Sequence, residues 1–144
     1  MRRGVHIQKL PHCPELPAYA TPGAAAMDLC AARNVTLYPG QSELIPTGIA
    51  LSMPDDTAAL LIPRSGLGAR NGIVLANLVG LIDSDYTREV FIAAWNRNTE
   101  GQAFDIKVGD RIAQMMFTPV VKVQLLEVDS WEDNGRGGFG HTGV

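Results

Sequence analysis

Short apolar runs cut by turn residues dominate this chain and leave little room for helices. NVTLYPG (residues 34–40) is closed by Pro39-Gly40. ELIPTGIALSMPDD (43–56) reads as two short strands around Thr47-Gly48, ended by Pro54-Asp55-Asp56. TAALLIP stops at Pro63, and GIVLANLVGLID (72–83) is two apolar runs bent near Asn77. EVFIAAWN and FDIKVGD follow, and RIAQMMFTPVVKVQLLEV (111–128) is a long run broken at Pro119. Strand-length runs with frequent turn signals predict an all-β sandwich, barrel or jelly roll. Nine prolines and fifteen glycines suit such a chain, because tight turns need both. The spacing predicts a single short helix over Ser65–Arg70, just after Pro63. The 144 residues fit one domain with a real core. Composition shifts only near Asp133, so the expected division is a β domain over 1–133 and a flexible glycine-rich arm over 134–144.

Bulk properties exclude several classes. The net charge of −3 argues against a protein that coats nucleic acid through positive charge. No apolar stretch approaches the roughly 18 residues of a membrane span, and the first residues do not read as a signal peptide. A cytoplasmic protein, not a secreted one, is the expectation. Cys13 and Cys30 lack the spacing of a zinc or redox motif and read as ordinary thiols. His6 and His12 carry no assigned role.

Four stretches carry polar groups in apolar surroundings. In Pro63-Arg64-Ser65-Gly66, Ser65 reads either as a helix N-cap beside a solvated arginine or as part of an anion site. In the second case Arg64 supplies a planar fork of donors, Ser65 a hydroxyl and Gly66 a closely approaching backbone N–H. Asp83 and Asp85 end an apolar run two residues apart, a spacing that shares a face in a strand. They read as an acidic turn at the sheet rim, or as carboxylates that organise a water or metal; Tyr86 adds an aromatic platform. Asp28 stands among small and apolar residues and needs a partner, for which a cation or an arginine would serve. Arg111 and Gln114 interrupt an apolar strand, and Gln114 needs either hydrogen-bond partners in the core or a ligand. The tail NGRGGFGHTGV places Phe139 among glycines that cannot hold a fixed backbone alone.

In this order the stretches resemble the five motifs of the homotrimeric dUTPase family. Met27–Leu29 resembles the first, Pro63–Leu67 the second, Asn77–Tyr86 the third, Arg111–Phe117 the fourth and Gly137–Gly143 the fifth. The resemblance implies a jelly-roll (β-clip-like) fold and a homotrimer with active sites at subunit interfaces. It implies hydrolysis of dUTP to dUMP and pyrophosphate with Mg²⁺, which keeps uracil out of DNA and supplies dUMP for dTMP synthesis. By position, Asp83 would orient and deprotonate the attacking water and hold the sugar 3′-hydroxyl, with Arg64 and Gln114 as its catalytic companions. Tyr86 would pack on the deoxyribose and leave no room for a 2′-hydroxyl. The Asn77–Ile82 hairpin, with Gly80 and Leu81, would read the uracil edge and exclude a 5-methyl group by shape. Arg64, Ser65, Gly66 and Gln114 would hold phosphates, and Asp28 would meet the Mg²⁺ shell through water. Phe139 and Gly140 would close over the base, while Arg136, His141 and Thr142 would reach toward the γ-phosphate.

Three positions depart from the family pattern. Ala26 stands where the first motif has glycine. Arg88 replaces a glycine after Tyr86, and strains the turn if that glycine served a positive φ. Asn134 stands where the fifth motif carries its arginine, which appears two positions later as Arg136. These departures leave room for a dUTP-binding regulatory protein on the same scaffold. A dCTP deaminase of the same superfamily is the other alternative.

Overall fold

The computed structural model describes residues 4–140 together with Thr142 and Gly143. His141, one of the expected site residues, lies outside the described residues. Among the described residues ten strands form: β1 (His6–Lys9), β2 (Met27–Cys30), β3 (Val35–Leu37), β4 (Ser42–Ser52), β5 (Thr57–Pro63), β6 (Ile73–Leu75), β7 (Gly80–Ile82), β8 (Glu89–Asn96), β9 (Phe104–Ile106) and β10 (Arg111–Pro119). One sheet runs β1-β4-β8-β6, a second β2-β10-β5-β7, and β3 pairs β9 alone. All pairs are antiparallel. This is the expected all-β jelly roll.

Alternation builds the core. In β8 Val90, Ile92 and Ala94 are buried, while Phe91 is exposed and Ala93 lies half-buried between them. They meet Ile45, Ile49 and Leu51 of β4 and, from the second sheet, Leu29, Ala59, Leu61, Ala113 and Met115 in one apolar cluster. Leu37 and Ile106 add the β3–β9 pair to it. Strands that show one face to a core and the other outward read this way.

Three features differ from expectation. Thr47-Gly48 does not divide two strands; β4 runs through it, with a shift in its register to β8 between Pro46 and Ala50. Gly48 takes φ +73° there, which lets the strand bulge without ending. The Asn77 bend is not a paired hairpin, because β6 pairs β8 in one sheet and β7 pairs β5 in the other. The bend therefore crosses between sheets. Past Pro119 no strand forms: the Val120 N–H donates to the Asp56 carbonyl at 2.8 Å, and residues 121–140 are exposed.

Gly48 also carries a stability prediction. A Cβ built on it would lie 2.4 Å from the Cys13 Cα, a backbone atom that cannot swing away. Gly48→Ala combines that clash with a left-handed conformation, and is expected to cost roughly 2–4 kcal/mol. A urea titration measures it as a lowered midpoint with an unchanged slope.

Candidate functional site

The ends of β2, β5 and β10 bring three of the sequence motifs together. Asp28 faces Gln114 across the β2–β10 ladder, and Gln114 faces Ile62 across β10–β5. Arg64 follows the last residue of β5. Its Nε lies 3.3 Å from Asp28 Oδ1, and its Nη1 donates to the Arg111 carbonyl at 2.8 Å. Arg111 Nη1 stands 3.8 Å from Asp28 Oδ2. The partner that Asp28 needed is thus arginine, twice over. Gln114 Nε2 donates to the Pro63 carbonyl at 3.1 Å, so its amide ties β10 to the root of Arg64.

Arg64 is pinned to a carboxylate and a carbonyl, so it is not the solvated arginine of the capping alternative. Ser65 makes no cap either. A short π-type helix spans Leu67–Asn71, its N-cap position is Gly66, and no side chain caps it. Ser65 and Gly66 are exposed. The helix is held from behind by the end of β8. Arg97 Nη2 donates to Gly68 O at 3.0 Å and Asn98 Nδ2 to Asn71 O at 2.7 Å, while the buried Asn96 donates to Leu37 O at 3.0 Å. A rigid mount behind a half-buried Arg64 and the exposed Ser65-Gly66 suits repeated binding of an anion.

The third motif forms a separate surface. The Val79 N–H donates to Asn77 O at 2.7 Å, and Leu78 adopts φ +62°, the one positive φ of a non-glycine among the described residues. This tight bend leaves Asn77, Leu78, Val79 and Leu81 exposed, with Gly80 and Ile82 buried. Gly80 sits against β5, where a Cβ would come 3.1 Å from that of Leu61. Asp83 is exposed just beyond Ile82, and its carbonyl accepts the Tyr86 N–H at 3.1 Å. Tyr86 Oη donates to the Glu89 carbonyl at 2.8 Å.

The two surfaces are far apart in one chain. Ile82 pairs with Ala59, five strand residues from Arg64, which is about 16 Å at ordinary strand rise. Asp83 continues away from Arg64. The tail is a third element: Phe139 is fully exposed, and Asn134 Oδ1 accepts the Arg136 N–H at 3.0 Å. Gly140 and Thr142 are likewise exposed.

Two departures from the family pattern lose their cost here. Neither Ala26 nor Arg88 has a positive φ, so neither strains its backbone. Burial pushes the Cys30 thiol up from its ordinary value, and Glu15 adds to this against the pull of Arg111. Both cysteines are buried and free. Two groups near the site carry no role in the sequence reading. Arg111 was visible as a cation in an apolar run, but only the β2–β10 register shows its carboxylate partner. Glu89 gave no local signal, because its contacts come from Gly48 and His12.

No group of three or more His, Cys, Asp or Glu side chains converges as a metal cage among the described residues. Asp28 is a single carboxylate between two guanidinium groups. That donor set fits a Mg²⁺ that arrives on substrate phosphates and keeps its waters, and does not fit a resident ion held by protein alone.

Comparison with known proteins gives the family. The dUTPase family model matches residues 14–143. A deoxyuridine 5'-triphosphate nucleotidohydrolase of Hahella chejuensis is 58% identical over 134 residues, covering 90% of this chain and 87% of the relative. The corresponding Methylococcus capsulatus protein is 56% identical over 133 residues, covering 89% and 87%. Among solved structures, the Staphylococcus bacteriophage 80alpha dUTPase with dUPNHPP superposes with a TM-score of 0.87 at 24% identity, covering 98% of this chain and 99% of that one. A mutant dUTPase of phage phi11 of S. aureus, whose structure details the coordination of a structural Mg(II) ion, gives 0.83 at 22% identity, covering 90% and 99%. The chain belongs to the dUTPase family.

Proposed function

We infer that this chain hydrolyses dUTP to dUMP and pyrophosphate. The observation that carries the reading is the joining of Asp28, Arg64 and Gln114 at one rim, in a chain more than half identical to dUTP nucleotidohydrolases. A triphosphate needs its charge neutralised before a nucleophile can approach phosphorus. Arg64 provides two-sided donor geometry for that, with Ser65 and Gly66 presenting donors beside it. Gln114 can turn its amide toward a phosphate or the attacking water. When bound with the nucleotide, Mg²⁺ supplies further neutralisation, and Asp28 would meet it through water. Asp83 takes the proton of the attacking water as the bond between the α- and β-phosphates breaks. Tyr86 walls the sugar, and the Asn77–Ile82 bend takes the uracil.

The separation of Asp83 from Arg64 supports sites completed between copies. So does the surface. Val121, Leu125, Leu126 and Trp131 are largely exposed, and a groove of about 900 Å³ lies between Tyr19, Met27, Phe117 and Pro119. A homotrimer would cover both. Residues 134–144 act as the lid, with Phe139 placed on the base and Arg136, His141 and Thr142 directed to the phosphates. No helix among the described residues is long and apolar enough to cross a membrane, and we place the reaction in the cytoplasm.

The test is pyrophosphate release from dUTP, dTTP, dCTP and UTP with Mg²⁺. Rapid release from dUTP alone is expected. Tight dUTP binding without turnover would make the chain a binding protein instead, and ammonia from dCTP would make it a deaminase.

A further inference from the structure

We infer that Glu89 is a positioning residue for sugar selectivity, locked in place by His12 and Gly48. The inference rests on the reading of Tyr86 as the wall against the deoxyribose. Among the described residues the Tyr86 side chain has one polar anchor, the hydrogen bond from its Oη to the Glu89 carbonyl at 2.8 Å. The ring itself is exposed, so packing alone does not set its tilt. Whatever fixes Glu89 therefore fixes the wall.

The Glu89 side chain is held by β4 and by the Leu10–Cys13 turn. Its Oε1 accepts the Gly48 N–H at 2.9 Å and lies 2.5 Å from His12 Nε2. A carboxylate only accepts, so Nε2 carries the proton in this contact. Gly48 is itself gripped: its carbonyl accepts the Leu10 N–H at 2.8 Å, and Cys13 packs where a side chain would stand. The Leu10–Cys13 turn, the β4 bulge, Glu89 and Tyr86 thus form one mechanical series. The Glu89 side chain is only 18% exposed, which makes its two hydrogen bonds hard for water to replace. Arg88, next to Glu89 in the chain, is exposed.

The experiment measures kcat/KM for dUTP and for UTP with the full chain and its variants. His12→Ala and Glu89→Ala are each expected to narrow the dUTP preference by about tenfold, chiefly through UTP gained and KM for dUTP raised. Tyr86→Phe, which removes only the tether, is expected to narrow it similarly. Adding His12→Ala to Tyr86→Phe is expected to narrow it no further, as for two steps of one series. Glu89→Gln keeps an acceptor for Gly48 and is expected to recover most of the preference. His12 is 44% exposed on its side chain, so its variant tests the series even if Glu89→Ala does not fold. A wild-type dUTP:UTP ratio in His12→Ala, whatever its melting temperature, overturns the inference. If the wild-type chain turns over no dUTP, the activity reading fails by itself. The preference is then read from binding of non-hydrolysable imido analogues of dUTP and UTP, with the same outcomes decisive.

Discussion

Asp83→Asn lowers kcat for dUTP by about 10²–10⁴-fold, the range of a lost general base, and leaves the fold standing. Asp83 is exposed just past the end of β7, and among the described residues no hydrogen bond to its side-chain oxygens competes with a water. Asparagine keeps the shape and the backbone carbonyl that accepts the Tyr86 N–H. The cost to stability should therefore stay within about 0.5 kcal/mol, as for an exposed substitution. KM should move little, because an amide can still meet the sugar hydroxyl. A fall in kcat with KM held identifies an interaction made in the transition state. Steady-state kinetics on dUTP, with a melting curve beside it, gives both numbers. A kcat within about twofold of wild type would take Asp83 out of the chemistry and reopen the acidic-turn reading of Asp83-Ser84-Asp85.

How much of this was legible in the sequence depends on the range of the interaction. β5 and β8 coincide with TAALLIP and EVFIAAWN because prolines and turn residues punctuate them locally. β1 was not legible: all four of its residues are exposed, so it shows no alternation, and only its pairing with β4 makes it a strand. β2 is four residues long and was read only for Asp28. At Gly48 a turn residue serves a bulge, and composition alone does not separate the two uses.

The site divides the same way. Motif order pointed to Asp28, Arg64 and Gln114, and the sheet registers bring them to one rim. What motifs do not carry is the choice among partners. The partner that Asp28 required, a cation or an arginine by its sequence, is both Arg64, just past β5, and Arg111 in β10. The His12–Glu89 contact spans 77 residues of sequence and joins two side chains that no motif names. Contacts of that span are set by the packing of the sheets, and local pattern is silent about them.

Deleting residues 134–144 reduces kcat/KM for dUTP by about 10²-fold or more while the strands and their assembly persist. The structural half of this expectation follows from where the tail's hydrogen bonds go. Gly135 donates to Asp133, Arg136 to Asn134 and Gly143 to Gly140, all within two or three residues. None reaches the sheets, so their loss should leave a urea midpoint within error of wild type. The kinetic half follows from the glycines. Gly135, Gly140 and Gly143 take positive φ, and the described residues of the segment are all exposed. On the lid reading proposed above, it would gain a fixed conformation by closing on a ligand, excluding water and aligning the phosphates. Misplacing a reacting group by about 1 Å can cost on the order of 10²-fold, and an absent lid leaves the triphosphate held at one end only. The prediction separates a lid from a phosphate clamp. If Phe139 matters by stacking, the truncated chain should lose affinity for dUMP as well as for dUTP. If the phosphate donors dominate, only the triphosphate should bind more weakly. That second pattern would assign the charge neutralisation to the tail's phosphate donors, Arg136, His141 and Thr142, as a group. A truncated chain with full kcat/KM would remove the tail from the mechanism altogether.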